Sequence, residues 1–179
     1  MKIAVIGTGY LGATHAACMA TLGHEVLGVD VDEARLAKLR SAELPFYEPG
    51  LDDLTRDMVN SGNLTFTSRY TEAADFADVF FIAVGTPQKS GEFAADVSAL
   101  DSVIDELAPL IRRPAVIYGK STVPVGTAAR LRRRARQLSP AGDQLELAWN
   151  PEFLREGHAI ADTLRPDRLV LGTADGQSD

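Results

Sequence analysis

Several features that mark other protein classes are scarce or missing in this sequence. Only one cysteine, Cys18, occurs among 179 residues, so no disulfide can form within the chain and a reducing compartment is expected. The first apolar run, residues 3 to 6, is too short for a signal peptide core or a membrane span. The net charge of -7 disfavours a nucleic-acid surface. We therefore expect a soluble cytoplasmic protein that binds neither nucleic acid nor membrane.

Three local features suggest other functions but have simpler explanations. The arginine-rich stretch at residues 130–136 carries Leu131 and Ala135 at helical spacing, which predicts a surface helix with an arginine-rich outer face. The three histidines show no metal-ligand spacing, so no metal site is predicted. Cys18 lies in an apolar helical run, which is typical of a small core residue and not of a reactive thiol.

Short apolar runs alternate with helical patterns along the whole chain. The predicted strands are Lys2–Ile6, Glu25–Asp30, Leu64–Thr67, Val79–Ala83, Ala115–Gly119, Leu145–Trp149 and Arg168–Gly172. The predicted helices are Tyr10–Leu22, Glu33–Ser41, Gly50–Asn60, Val97–Leu110 and Val125–Leu138. Such alternation indicates crossover connections between parallel strands. We therefore predict an α/β fold, a doubly wound Rossmann-type parallel sheet with helices on both faces.

The first strand runs directly into a G-x-G-x-x-G loop that opens the first helix. Gly7 allows the tight turn, Gly9 allows close approach of a pyrophosphate, and Gly12 allows close packing of the helix on the strand. The second strand then ends at Asp30, where a carboxylate can bind the adenosine ribose hydroxyls and repel a 2′-phosphate. This combination predicts NAD binding in preference to NADP. The alternative is a purely structural turn in which Asp30 caps a helix.

Unusual loops follow three later strands and also precede one helix. Residues 84–87 read Val-Gly-Thr-Pro, residues 120–127 read Lys-Ser-Thr-Val-Pro-Val-Gly-Thr, and residues 150–157 read Asn-Pro-Glu-Phe-Leu-Arg-Glu-Gly. Residues 47–51, Tyr-Glu-Pro-Gly-Leu, lead into the third helix. Loops at the carboxyl ends of parallel strands form the ligand crevice of doubly wound sheets. These loops are therefore candidates for the functional site.

With these motifs the chain resembles the UDP-glucose/GDP-mannose dehydrogenase family over essentially its whole length. The glycine loop, Asp30, the four segments above and Pro166-Asp167-Arg168 with Gly172 carry the resemblance. The loops at 47–51 and 120–127 are more similar to enzymes that act on UDP-glucose than to those that act on GDP-mannose. The resemblance implies that the sugar 6-hydroxyl is oxidised to a carboxylate by two NAD and one water. It also implies a cysteine thioester on the way.

The resemblance assigns the cofactor contacts to four short segments. NAD is expected along the glycine loop, at Gly7, Gly9, Tyr10, Leu11 and Gly12. Asp30 and Arg35 are expected at the adenosine ribose. The nicotinamide half is expected to be lined by Val84, Gly85, Thr86, Pro87, Ser121, Thr122 and Glu156.

The resemblance also implies catalytic and sugar-binding roles in the same loops. Thr122, Glu152 and Glu156 are the expected catalytic residues, with Glu152 activating water or transferring a proton. The sugar nucleotide is expected to contact Glu152, Phe153, Leu154, Arg155 and Glu156. If Pro151 opens a helical turn, the spacing of four would put both glutamates on one face. The alternative is a pair of solvated or helix-capping carboxylates.

The family's nucleophilic cysteine, and the lysine and asparagine that complete its site, lie downstream of the segments matched here. We therefore expect residues 1–179 to be the NAD-binding domain of a longer enzyme. Its central helical and sugar-nucleotide domains, and the surface of an expected homodimer, would lie outside this chain. By itself the chain is expected to be inactive. A stand-alone NAD-binding or sensing module, or a dehydrogenase for GDP-mannose or another nucleotide sugar, remain alternatives.

Overall fold

The computed structural model describes residues 1–173, and its six strands form one parallel sheet. The strands are β1 (Lys2–Ile6), β2 (Glu25–Val29), β3 (Leu64–Thr67), β4 (Val79–Ile82), β5 (Ala115–Gly119) and β6 (Leu145–Trp149). Their order across the sheet is β3-β2-β1-β4-β5-β6. The chain therefore winds outward in one direction from β1 and in the other from β4. The carboxyl ends of β1 and β4 flank the point of reversal, where such sheets bind ligands.

Helices connect the strands and cover both faces of the sheet. They are α1 (Tyr10–Thr21), α2 (Glu33–Arg40), α3 (Leu51–Asn60), α4 (Tyr70–Phe76), α5 (Ser98–Leu107), α6 (Thr127–Leu138) and α7 (Ala159–Leu164). Alternate residues of β1 enter opposite cores, because side chains alternate along a strand. Ala4 and Ile6 pack with α5 and α6, whereas Ile3 and Val5 pack with α1 and α3. The predicted doubly wound α/β fold is confirmed.

The arginine-rich helix α6 lies against the sheet as its spacing predicts. Leu131 and Ala135 are fully buried. Two of the arginines pair with carboxylates of the neighbouring helix: Arg130 with Asp101 and Arg134 with Asp105, both on α5. These ion pairs join two neighbouring surface helices, so part of the local positive charge is matched by acidic side chains.

The structure differs from the sequence analysis in three respects. Arg168–Gly172 is not a strand: only Gly172 pairs, in antiparallel fashion with Trp149, and Leu169 keeps 76% of its surface exposed. Residues 150–155 form no helical turn, and the Glu152 carboxylate accepts hydrogen bonds from the next two backbone N–H groups. The short helices α4 and α7 are not predicted at all. In residues 1–173 no helix is long and apolar enough to cross a bilayer.

Candidate functional site

The glycine loop has the geometry that dinucleotide binding requires. Gly7 has φ +89°, a left-handed conformation that favours glycine. A Cβ on Gly12 would lie 1.7 Å from the Gly7 carbonyl oxygen, so the helix could not approach the loop this closely with any side chain. At Gly9, the residue before α1, an added Cβ would meet nothing within 4 Å. The loop is therefore tightly packed at its base and open where a pyrophosphate would reach the helix N-terminus.

Asp30 follows β2 and is held by four donors. Its Oδ2 accepts hydrogen bonds from the Thr8 N–H at 2.7 Å, the Thr8 hydroxyl at 2.9 Å and Arg35 Nη1 at 2.8 Å. Its Oδ1 accepts one from the Asp32 N–H at 3.0 Å. Burial raises the pKa of Asp30, but these hydrogen bonds outweigh it and hold the pKa below the usual value. Asp30 is thus ionised and supports the glycine loop, and Arg35 lies beside it.

The loops after β4, β5 and β6 are joined by hydrogen bonds. The Ser121 hydroxyl donates to the Val84 carbonyl at 2.6 Å, and the Thr86 hydroxyl donates to the Thr122 carbonyl at 2.8 Å. The Trp149 indole N–H donates to the Ser121 carbonyl at 2.9 Å. The Thr122 residue is exposed, as are Gly85 and Pro87. These three loops therefore form one connected rim, with polar groups open to solvent.

Lys120 is the centre of the rim between β5 and β6. Its side chain is only 5% exposed, and its Nζ lies 2.8 Å from Glu152 Oε2 and 2.9 Å from Asn150 Oδ1. The other carboxylate oxygen of Glu152 accepts from the N–H groups of Phe153, at 2.8 Å, and Leu154, at 3.1 Å. A buried ammonium needs such partners, because an unpaired charge is costly inside a protein. Lys120 and Glu152 together fix the start of the loop.

The remaining candidate residues in this loop differ in their partners and in their exposure to solvent. Arg155 pairs with Asp162 at 2.7 Å, which raises the pKa of Arg155 and lowers the pKa of Asp162 to about 2. Phe153 is half exposed and lies 5.2 Å from the Arg168 guanidinium. Glu156 is exposed, and its negative charge contributes to the raised pKa of Tyr10. Glu152 and Glu156 therefore share a loop but not a helix face.

A cavity of about 830 Å³ opens beside this loop. Lys120, Asn150 and Glu152 form a polar wall, and Phe81 and Tyr118 form part of the apolar lining. Neither Gly9 nor Asp30 belongs to the described lining, so the cavity is separate from the glycine loop. Within residues 1–173 no group of three or more His, Cys, Asp or Glu side chains could hold a metal ion.

Cys18 has the buried position that its apolar neighbours predict. It is fully buried, and burial raises the pKa of its thiol to about 12. The Thr163 hydroxyl lowers this pKa by a smaller amount, and the charge of Glu48 adds to the rise. A thiol this far from its thiolate form is a poor nucleophile.

Sequence reasoning assigned no role to Thr8, Lys120, Asn150 or Glu48, although all four lie in the motifs that it identified. Thr8 occupies a variable position of the glycine motif, and only its contact with Asp30 reveals its role. Glu48 is quoted in the Tyr-Glu-Pro-Gly-Leu motif without a function, although its carboxylate is buried and bonded to both Tyr10 and Gly157. A carboxylate directly before Pro-Gly in an otherwise apolar loop is the signal that could have drawn attention to it.

Comparisons with known proteins agree with this geometry. The model of the UDP-glucose/GDP-mannose dehydrogenase family, NAD binding domain, matches residues 1–179. UDP-glucose 6-dehydrogenase of Rhizobium meliloti is 44% identical over 99% of this chain and 41% of its own length. The enzyme of the same name from Pseudomonas aeruginosa is 43% identical over 99% of this chain and 40% of its own length. This chain thus spans about two fifths of the curated relatives' length.

Solved structures give the same result. GDP-mannose dehydrogenase from Pseudomonas aeruginosa superposes with TM-score 0.91 and 34% identity, over 97% of this chain and 41% of that one. UDP-glucose dehydrogenase from Pyrobaculum islandicum superposes with TM-score 0.90 and 38% identity, over the same shares of the two chains. The chain belongs to the UDP-glucose/GDP-mannose dehydrogenase family, of which it is the NAD-binding domain.

Proposed function

We propose that this chain is the NAD-binding part of a dehydrogenase that oxidises UDP-glucose to UDP-glucuronate. The observation that supports this best is the hydrogen-bonded rim. Loops after β4, β5 and β6 bring Thr86, Thr122 and Glu152 to the carboxyl edge of the sheet. A domain that only held NAD would need the glycine loop and Asp30, but not a rim of hydroxyls and carboxylates.

The cofactor half of the site is assigned from the glycine loop outward. The pyrophosphate lies at Gly7, Gly9, Tyr10, Leu11 and Gly12, where the helix N-terminus offers N–H groups. Asp30 and Arg35 hold the adenosine ribose. Residues Val84, Gly85, Thr86, Pro87, Ser121 and Thr122 line the nicotinamide half. When bound, NAD takes up the hydride in each of the two oxidations.

The substrate half lies on the loop after β6. Phe153, Leu154 and Arg155 contact the sugar nucleotide, and Glu156 lies near the nicotinamide. Glu152 accepts the proton of the attacking water in the hydrolytic step, with the Thr122 hydroxyl close to the reacting atoms. The nucleophilic cysteine comes from a segment outside this chain, because Cys18 is a buried thiol with a raised pKa. The homodimer contacts of the longer protein are also outside it.

The buried state of Cys18 is also the observation that favours the alternative, a stand-alone NAD-binding module. A cysteine in a glycine-rich segment of the reading frame beyond Asp179 would exclude that alternative. Discrimination among UDP-glucose, GDP-mannose and other nucleotide sugars rests on residues 47–51 and 120–127. A substrate panel tested with the longer protein would decide among these sugars.

Cofactor preference provides the direct test on this chain. We expect isothermal titration calorimetry to give tighter binding of NAD than of NADP, because the Asp30 carboxylate would repel a 2′-phosphate. Asp30→Ala should weaken NAD binding about tenfold or more, since hydrogen bonds to a charged group are the strong ones. The same change should weaken NADP binding less. Equal affinity of the unmodified chain for both cofactors would contradict the assignment.

Thr8→Val is the matched control for this experiment. It removes one hydroxyl donor to Asp30 but leaves the carboxylate and the Thr8 N–H in place. If Asp30 acts on the ribose, Thr8→Val should keep the preference for NAD. If Thr8→Val loses the preference as Asp30→Ala does, Asp30 serves mainly to hold the glycine loop.

A further inference from the structure

Glu48 is a buried carboxylate between α2 and α3 that the dehydrogenase chemistry does not use. It is only 1% exposed. Its Oε2 accepts hydrogen bonds from the Tyr10 hydroxyl at 2.6 Å and the Gly157 N–H at 2.7 Å, and its Oε1 accepts one from the Ala159 N–H at 2.8 Å. These donors come from the glycine loop and from residues more than a hundred positions along the chain. Glu48 therefore joins two distant parts of the site.

The contact with α7 replaces a helix cap. His158 precedes α7 and makes no side-chain capping bond, so the first N–H groups of the helix need another acceptor. Glu48 supplies it from across the molecule. The Gly157 N–H belongs to the peptide group that follows Glu156, so this bond also fixes the backbone on which the Glu156 side chain is carried.

The contact with Tyr10 reaches the cofactor half. Tyr10 is the first residue of α1, directly after Gly9, and its ring packs edge-on against Phe46 with centroids 5.1 Å apart. Burial and the nearby Glu48 raise the pKa of Tyr10 to about 12, so its hydroxyl remains a donor. Burial raises the pKa of Glu48, but its hydrogen bonds from Tyr10, Gly157 and Ala159 outweigh this and keep the pKa low. The tie is a stable set of charge-assisted bonds.

We propose that Glu48 is a positioning residue that ties the loop bearing Glu152 and Glu156 to the glycine loop, acting through Gly157, Ala159 and Tyr10. The proposal rests on the proposed function only for the catalytic roles of Glu152 and Glu156. The structural part does not depend on that function: without Glu48 the turn at residues 156–159 loosens. Because Tyr10 adjoins the pyrophosphate-binding backbone, NAD bound at the glycine loop should also steady that turn.

Hydrogen exchange measured by mass spectrometry or NMR tests the first part on the chain without cofactor. Glu48→Gln keeps the shape, but its amide has one oxygen, so either Gly157 or Ala159 loses its acceptor. We expect the exchange of one or both of these amides to rise about tenfold. Glu43→Gln is the matched control, because it makes the same change of charge at an exposed site. Equal exchange in the two variants would overturn the proposal.

Tyr10→Phe tests the second part, the tie between the turn and the glycine loop, and it does so even if Glu48→Gln does not fold. It removes only the hydroxyl, so the bonds from Gly157 and Ala159 to Glu48 remain. The backbone N–H through which Tyr10 would bind the pyrophosphate also remains, and each variant is saturated with NAD as judged by calorimetry. In the unmodified chain and in Glu43→Gln, NAD should slow exchange both in the glycine loop and at residues 157–159. In Tyr10→Phe, NAD should slow exchange in the glycine loop alone. If NAD protects residues 157–159 equally in Tyr10→Phe, the tie through Tyr10 is wrong.

The two experiments separate this proposal from the proposed function. If the chain binds no NAD, the proposed function fails. The comparison of Glu48→Gln with Glu43→Gln still decides whether Glu48 holds the turn. If NAD binds but neither variant alters residues 157–159, the cofactor site stands and the positioning role fails. A merely structural Glu48 would lower overall stability without removing the response of this turn to NAD.

Discussion

At the residue scale, the proposed role of Glu152 as a proton acceptor competes with its role in holding the loop. As a proton acceptor it needs a carboxylate oxygen that water can reach. In the structure Oε1 is taken up by two backbone N–H groups, and Oε2 is paired with Lys120. The Glu152 side chain keeps about one fifth of its surface exposed, so water can still reach it. The same group can therefore hold the loop and still accept a proton.

We predict that Glu152→Gln, in the protein extended to the length of its relatives, stalls the hydrolytic step. Glutamine can accept the two backbone hydrogen bonds but cannot take a proton, and a general base contributes about 10²–10⁴-fold in rate. Turnover should fall by about that factor, and a covalent acyl-enzyme should appear in the intact mass.

Lys120→Met is the control that separates catalysis from structure. It breaks the same ion pair but keeps the Glu152 carboxylate. If both variants lose turnover equally and neither accumulates the acyl-enzyme, Glu152 holds the loop and is not the base. Normal turnover in Glu152→Gln would exclude Glu152 as the base.

At the element scale, two glycines of the same loop have different roles: Gly12 is needed for folding, whereas Gly9 is needed for cofactor binding. We predict that Gly12→Ala destabilises the protein by about 3 kcal/mol or more, the upper end of overpacking effects, because its Cβ would overlap the backbone of Gly7. Gly9→Ala should cost about 1 kcal/mol or less, since its Cβ enters open space and only the cap is weakened.

Urea denaturation and NAD calorimetry on the same two variants check this prediction. Gly9→Ala should remain folded but bind NAD more weakly, because its methyl group occupies the space through which the pyrophosphate approaches. A Gly9→Ala chain that binds NAD as the unmodified chain does would place the pyrophosphate elsewhere. A stable Gly12→Ala chain would mean that the helix can move away from the loop.

The elements also differ in how well the sequence predicts them. The strands β1 to β6 are predicted within one residue, because continuous apolar runs between turns have few other solutions. The run Leu169–Leu171 has the same composition but lies exposed, since only Gly172 finds a partner on the sheet. The helices α4 and α7 have seven and six residues, too few for a periodic pattern.

In the candidate site, too, features set by neighbours in the sequence could be predicted, whereas features set by distant residues could not. The glycine loop and Asp30 could be found from spacing, because each role is set by neighbours in the chain. The role of Glu48 could not be predicted in this way, because its position before Pro-Gly marks it as unusual but its partners Gly157 and Ala159 lie across the fold. A helical turn opened by Pro151 was one possibility for the loop after β6, but this loop is irregular, and the Glu152 carboxylate bonds to the next two backbone N–H groups.

At the scale of the whole molecule, one buried histidine has an electrostatic cost that depends on pH. His15 lies in α1 against the ring of Phe81, with centroids 4.4 Å apart. Neither ring nitrogen has a hydrogen-bond partner in the described part of the chain. Burial, and secondarily the charge of Lys120, lowers the pKa of His15 to about 3. The folded protein therefore holds this imidazole neutral, whereas the unfolded chain protonates it near its ordinary pKa of about 6.5.

We predict that the free energy of unfolding falls by about 2 kcal/mol between pH 7 and pH 5 because of His15. The folded pKa is the lower one, so protons bind the unfolded chain first, and stability is lost as pH falls below about 6.5. Carboxyl groups titrate mainly below pH 5, so they contribute little to the change in the free energy of unfolding between pH 7 and pH 5.

Urea denaturation followed by the fluorescence of Trp149, the single tryptophan, measures this loss of stability. His15→Met should remove most of it, whereas His24→Gln, at a partly exposed site, should not. An equal loss in His15→Met would mean that His15 gains a partner or reaches water when it is protonated.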